Sequence, residues 1–484
     1  MSALREGFAR LGDLLAAGRF RRLLTSQLLS QAADGLYQIA LASVLIFGLD
    51  AARTPAQVTK VLAVTYIPFS LVGPLTGPFI DRFSRRSLLV GASLLRTVLT
   101  ALLIPALGWS EGALLGLAVA NVSVNRFFHS TKSAVLPTLV AREHYLGANA
   151  VASTAGMVFA LTGAVAGGPL ADAFGPEVPI VLATICTAAA AVAAATLRLP
   201  PGEKRGLAGV ASELRDNLRD VRDGLRVLRH TRVATYGVFS TWTTRGLHGF
   251  ILLAALVVGR ARFDIGAGGF SLVLGLAAVG GFVGAVVVPA VAARIGRSSV
   301  APAAFLVAGV ATLIGGPAPA WPALLGAVTV AGMAMQATKI ASETMIMRAI
   351  DDRYRGRAFA VYDLGYNGVF VLAAMVATLL RPVLGDLGII FLTAALYFLW
   401  GGVLAVWRRR LDHDIEVRAY AGGRDDETPR QVLWDGRPLQ VADVERSWEE
   451  SRDGDRLRCF RLRLADGRRI QVSRDGGWSL DRVL

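Results

Sequence analysis

An acid in the middle of an apolar segment can alternate between protonated and ionised forms, and Asp34 stands in such a place, in Gln31-Ala32-Ala33-Asp34-Gly35-Leu36-Tyr37. Asp363 is a second such acid, with Tyr366 and Asn367 three and four residues on, a spacing that shares one helical face. Two cations stand in comparable positions. Arg126 lies about 14 residues into an apolar segment, which at about 1.5 Å per residue puts it near a bilayer centre. Arg245 recurs with Trp242 and His248 every third residue, a polar and aromatic stripe suited to lining a cavity. A charge at that depth costs several kcal/mol unless it is paired or faces water. Arg126 is therefore paired, faces a water-filled cavity, or is a buried cation satisfied by carbonyls. His129, three residues after Arg126, titrates near physiological pH when unperturbed, and a hydrogen-bonded structural role is its simpler reading. Lys339 and Glu343 have the four-residue spacing of a mutually neutralising pair. Arg126 and Arg245 together would attract an anionic substrate. If Asp34 and Asp363 pair with them instead, the cavity is neutral and suits lipophilic molecules, and the sequence leaves both open.

The elements that must position these residues are membrane helices. The chain has 484 residues, of which 54% are hydrophobic and only 18% charged, a composition whose main solvent is lipid. A spanning helix needs roughly 20 apolar residues. Such windows fall near 23–49, 57–80, 87–108, 112–136, 147–169 and 176–197, then near 233–258, 267–292, 299–317, 320–344, 356–380 and 386–407. Scattered Gly and Pro do not argue against helices in a membrane. The expected architecture is all-α and polytopic, with 12 transmembrane helices in two six-helix bundles, followed by a small all-β domain.

Lys and Arg collect in alternate loops. Arg5, Arg10, Arg19, Arg21, Arg22, Arg82, Arg85, Arg86, Arg294, Arg297, Arg348, Arg353, Arg355, Arg357 and the linker fall on one side, against Arg53, Lys60, Arg260, Arg262 and Arg381 on the other. The positive-inside rule then places both termini and the linker in the cytoplasm. The same asymmetry accounts for much of the net charge of +15, so nucleic acid is not an expected partner. No signal peptide is expected, since the start reads as an interfacial amphipathic helix (Leu4, Phe8, Leu11, Leu14, Leu15). Cys186 and Cys459 lie in regions this topology separates, so neither a disulfide framework nor a metal cluster is implied.

The run Gly77-Pro78-Phe79-Ile80-Asp81-Arg82-Phe83-Ser84-Arg85-Arg86 resembles the loop between the second and third helices of the major facilitator superfamily of secondary transporters. The departures are Phe79 and Ser84, where the family prefers Leu and Gly. Physically, Asp81 at a helix end can accept charge-assisted hydrogen bonds while the arginines hold the loop at an anionic surface. The resemblance implies that Gly77, Asp81, Arg82, Arg85 and Arg86 gate the outward-facing state. Arg126-Phe127-Phe128-His129-Ser130 resembles the family's second motif, which implies a role for Arg126 in tuning proton exchange or holding substrate. Gly163-Ala164-Val165-Ala166-Gly167-Gly168-Pro169 resembles its antiporter motif, with Gly163, Gly167 and Gly168 letting helices approach closely; Ala164 replaces the family's Pro. The first helix of its proton-coupled drug exporters often carries an acid like Asp34.

An internal repeat agrees with this family. Thr131-Lys132 recurs as Thr338-Lys339, Tyr145-Leu146-Gly147 as Tyr354-Arg355-Gly356, and the loop motif in degraded form as Ala293-Arg294-Ile295-Gly296-Arg297. The resulting division is 1–197 for the first bundle, 198–232 for an amphipathic linker, 233–408 for the second bundle and 415–484 for the β domain. Residues 205–232 place Leu and Val three or four apart, which gives either a helix lying on the membrane or bundle or a solvated tether. Past Arg410, Asp-Gly pairs at 435–436, 453–454, 466–467 and 475–476 separate short alternating strands, and the slip along Leu457, Cys459, Phe460, Leu462 and Leu464 predicts a bulge there.

No nucleophile, metal set or phosphate-binding loop stands out, so no enzyme, cofactor or ATP-driven pump is expected. The expectation is a monomeric proton-coupled antiporter of the bacterial plasma membrane, with protons, a small molecule and membrane lipids as partners. It would export a lipophilic drug, a siderophore or another secondary metabolite. A lipid flippase or scramblase, or a transport-dead sensor, are the alternatives on the same fold.

Overall fold

The computed structural model describes residues 18–47, 83–140, 144–199, 222–229, 231–318, 320–350, 352–409, 415–420, 428–434, 437–452, 455–475 and 477–483. The segment expected as an N-terminal amphipathic helix, the window 57–80, Gly77, Asp81, Arg82 and most of the linker lie outside them.

Among the described residues, helices form where the apolar windows run. In chain order they are α1 (Gly18–Phe47), α2 (Arg85–Ala101), α3 (Leu103–Ala106), α4 (Glu111–Val135), α5 (Tyr145–Phe174) and α6 (Glu177–Ala195). Then come α7 (Arg232–Phe263), α8 (Ala267–Ile295), α9 (Arg297–Gly315), α10 (Trp321–Ala349) and α11 (Asp352–Arg408). Among the described residues, 8 helices are long and apolar enough to cross a membrane. The last two windows both fall on α11, which bends at Gly385, where φ is 69°. Local chemistry sets the ends. Ser84 and Ser110 accept hydrogen bonds from Ser87 N and Ala113 N at the starts of α2 and α4. Gly175 and Gly296, at φ 87° and 82°, turn the chain between α5 and α6 and between α8 and α9.

The pairing of helices repeats. α1 packs on α5 as α7 packs on α11, and α2 packs on α4 and α6 as α9 packs on α10 and α11. One repeated unit cannot bury both of its faces alone, and the two units meet where α5 packs on α8. The α1–α5 contact depends on missing side chains: a Cβ at Gly163 would collide with the Ala32 carbonyl, and one at Gly35 with the backbone of Ala160 and Ala164. Small residues are how membrane helices gain close contact where no hydrophobic drive exists between them. Gly163→Leu is expected to lower stability by about 1–3 kcal/mol through overpacking, read as a reduced melting temperature in detergent. Wild-type melting would mean that α1 and α5 stand further apart.

Residues 222–229 are helical, and Leu228 is buried among Ala234, Val238, Ile346 and Tyr362. This end of the linker is thus packed on the bundle, not a solvated tether. Among the strands, β1 (Ile415–Tyr420), β2 (Thr428–Trp434), β3 (Arg437–Arg452), β4 (Asp455–Leu464), β5 (Arg469–Asp475) and β6 (Gly477–Val483) form one antiparallel meander in sequence order. β1 also approaches β6, curling the sheet into a half-barrel around Val417, Val432, Phe460, Leu462, Ile470 and Val472. The bulge expected in β4 is elsewhere. β4 pairs with β5 without a break from Arg458 to Arg463, and the extra residues are Ala442 and Glu445 on the facing β3. Cys459 and Phe460 break the alternation because both faces of β4 are covered there, and both side chains are buried.

Candidate functional site

Asp34, halfway along α1, is the hub of a buried polar network. Arg96 of α2 donates its Nη2 to Asp34 Oδ1 in a close ion pair. Asn125 of α4 donates Nδ2 to Oδ2 at 3.1 Å, and His129 Nε2 lies 3.9 Å from the same oxygen. Asn125 and His129 are four residues apart on α4, so one helical face supplies both. Arg96 is only 1% exposed and is held from every side. Its Nη1 donates to Ser30 Oγ at 2.5 Å and its Nε to Asn121 Oδ1 at 3.2 Å, while Asn121 donates to Thr100 Oγ1 at 2.8 Å. The pair thus has the surrounding hydrogen bonds that a buried ion pair requires. The His129 side chain is 20% exposed against 12% for Asp34 and 2% for Arg96, which makes it the most accessible group of the three.

The second half presents cations to aromatic faces. The guanidinium of Arg245 on α7 lies 4.9 Å from the ring centre of Tyr366 and 4.2 Å from that of Phe370, both on α11. Lys339 on α10 lies 5.2 Å from the Tyr366 ring and 3.7 Å from Glu343, at the pair spacing expected. Asp363 is attracted by Lys339 and by Arg126. Arg126 belongs to α4 of the first half, so this attraction acts between the halves. Asn367 turns back to donate to the Asp363 carbonyl at 3.1 Å. Trp242 lies over Gly365 and donates Nε1 to the Tyr362 carbonyl at 3.0 Å, tying α7 to α11. His248 is buried on α7.

Each end of the bundle has its own polar contacts. At the Arg-rich end, Arg85 and Arg86 donate to the carbonyls of Ala134 and Ala195 at 3.2 and 2.6 Å, and Arg22 to that of Thr196 at 2.9 Å. Cations there satisfy the orphaned carbonyls at the ends of α4 and α6. At the opposite end the contact crosses between halves. Asp172 near the end of α5 accepts hydrogen bonds from Ala267 N at 2.9 Å and Gly268 N at 2.7 Å. Gly266, the N-cap of α8, has no side chain to do this, so Asp172 caps that helix from the other half. One turn earlier, Gly168 faces α8, where a Cβ would collide with the Ala267 carbonyl and Gly268. Gly163 and Gly167 face α1 instead.

The structure therefore brings Asp34 to His129 and Asp363 within reach of the charge of Arg126, and it gives Asp34 a partner, Arg96, not anticipated above. Arg96 and Asp172 both had a signal, a charge inside or at the edge of an apolar window.

A family profile described as Major Facilitator Superfamily matches residues 23–263 and 237–442. Among curated relatives, uncharacterized MFS-type transporters of Mycobacterium tuberculosis and Mycobacterium bovis are each 30% identical over 409 residues, covering 80% of this chain and 90% of theirs. Among solved structures, a POT family transporter in complex with 5-aminolevulinic acid superposes with a TM-score of 0.62 at 10% identity, over 81% of this chain and 96% of that one. The nucleoside transporter NupG gives 0.58 at 13% identity, over 81% and 97%. At such identity these structures speak for the fold alone. With the profile spanning most of the sequence and the repeated helix pairing agreeing with it, the chain belongs to the major facilitator superfamily and is a multi-pass membrane transport protein.

Proposed function

We propose that the chain is a proton-coupled antiporter that exports a lipophilic small molecule, a drug or a secondary metabolite, by alternating access. The observation that carries this reading is the buried Asp34–Arg96 pair with His129 at its more accessible edge. With Asp34 ionised, the pair ties α1 to α2, and Asn125 adds α4. A proton delivered through His129 neutralises the carboxylate, removes the attraction to Arg96 and loosens these three helices together. Arg126 on the first half and Asp363 on the second carry opposite charges that attract each other, so separation of the halves weakens that attraction and substrate entering between them screens it.

The substrate class follows from how the charges are used. Asp34 is paired with Arg96, Lys339 lies 3.7 Å from Glu343, and Arg245 lies against Tyr366 and Phe370. Internal compensation and aromatic faces favour a lipophilic, ring-bearing substrate over an acidic siderophore. The reading includes 12 spanning helices in bundles 1–197 and 233–408, with the linker 198–232 and both termini in the cytoplasm of a bacterial cell. The Arg-rich end then faces the cytoplasm, and the Asp172 contact closes the outer end. The β domain, 415–484, is a stabilising appendage on a monomer.

The test is drug movement in proteoliposomes carrying an imposed pH gradient. A lipophilic fluorescent drug should move against the proton flow, stop when a protonophore is added, and slow by more than an order of magnitude in Asp34→Asn. Drug movement indifferent to the gradient overturns the proposal.

A further inference from the structure

We propose that an anionic glycerophospholipid binds at the Arg-rich end of the last helical stretch of α11, one acyl chain in each of two flanking grooves and its phosphate between Arg232 and Arg408. One groove, of about 460 Å³, runs between α9 and α11 along Pro302, Leu306, Phe398 and Gly402, with Arg408 at its mouth. The other, of about 970 Å³, follows Phe398, Gly402 and Val403 on the second flank and has Arg232 and Trp407 at its rim. Phe398 and Gly402 belong to both, so the grooves straddle one helix as the two chains of a phospholipid would.

Length, rim chemistry and charge agree. From Phe398 to Arg408 is ten residues of helix, about 15 Å at 1.5 Å each, which is half of the roughly 30 Å hydrocarbon core and so the depth of one leaflet. At the rim, Arg408 donates to Ser299 Oγ, and the ring of its neighbour Trp407 lies 5.7 Å from that of Tyr236, one turn along α7 from Arg232, which lines the same groove as Trp407. The two cations therefore stand at one level. Neither groove has an acidic side chain among its lining residues, so a phosphodiester would meet cations without a competing carboxylate. Trp407 at the same level is the aromatic residue expected at a membrane interface. A zwitterionic headgroup would bring its ammonium to the same two cations, which is why the anionic class is favoured.

Gly402 lines both grooves, and a Cβ there would meet nothing within 4 Å. Gly402→Leu should thus narrow both grooves without moving the bundle. The experiment is native mass spectrometry of the full chain released from nanodiscs of phosphatidylethanolamine and phosphatidylglycerol. Wild type should retain phosphatidylglycerol over phosphatidylethanolamine by roughly tenfold, the worth of one charge-assisted contact. Both the Arg232→Gln/Arg408→Gln variant and Gly402→Leu should lose that preference. Equal retention of the two lipids by wild type overturns the proposal, as does phosphatidylglycerol retention that Gly402→Leu leaves intact. A change of oligomeric state in Gly402→Leu without lipid loss would assign the grooves to a second copy of the chain and overturn it too.

Discussion

Arg96→Met is expected to destabilise the protein by about 3–5 kcal/mol and to abolish transport, because it leaves the Asp34 carboxylate buried without its cation. Asn125 and His129 still face that carboxylate, but the ion pair and the Ser30 and Asn121 contacts of Arg96 are gone. The double variant Asp34→Asn/Arg96→Met removes both charges. It should regain most of the lost stability, since replacing a buried pair with uncharged groups is often close to neutral, yet remain inactive, since the carboxylate that takes up the proton is gone. Thermal unfolding in detergent and drug efflux measured side by side separate the two roles. Transport restored in the double variant would show that the pair is structural.

Gly168→Leu is the second large effect expected, and it acts on conformation. A side chain at Gly168 must push against Ala267 and Gly268, so it prises α5 from α8 at the end where Asp172 caps α8. Overpacking of this kind costs about 1–3 kcal/mol, charged only to the state in which the halves touch. Asp172→Ala should act in the same direction and more weakly, by about 0.5–2 kcal/mol, the range for loss of a helix cap. Both should shift the population toward separated ends. Spin labels on the last turn of α5 and the first turn of α8, with Cys186 and Cys459 replaced by Ser, would report this as a longer distance. Unchanged distances in Gly168→Leu would mean that the α5–α8 contact is not part of the conformational switch.

The helices were legible because each rests on local composition. Apolar runs of spanning length are signals carried by the segments themselves, whereas the helix ends are set in the structure by Ser84, Ser110, Gly175 and Gly296. Partners were less legible, because pairing is a property of packing. Asp34 and Arg96 are 62 residues apart, and nothing in the spacing says that α2 brings the cation across. Arg126 was the more conspicuous candidate from its motif, yet α4 turns Asn125 and His129 toward Asp34, while Arg126 acts on Asp363. A single residue along a helix rotates the side chain by about 100°, enough to separate those destinations. The Asp172 cap was hidden for a different reason: its partners are backbone N–H groups, which carry no sequence signature. In the β meander, the slip in alternation along β4 was real, but a bulge on β3 and burial on both faces of β4 produce it.

Coupling through Asp34 makes one demand that no uncoupled transporter on this fold shares: substrate and proton must exclude each other on the same protein. The most direct measurement is proton release from the purified protein in weakly buffered detergent when a lipophilic drug is added, for wild type and for Asp34→Asn. Antiport through Asp34 predicts release on addition of drug to wild type and none in Asp34→Asn, with drug binding retained by both. Drug binding without proton release in wild type, or release that persists in Asp34→Asn, would contradict it.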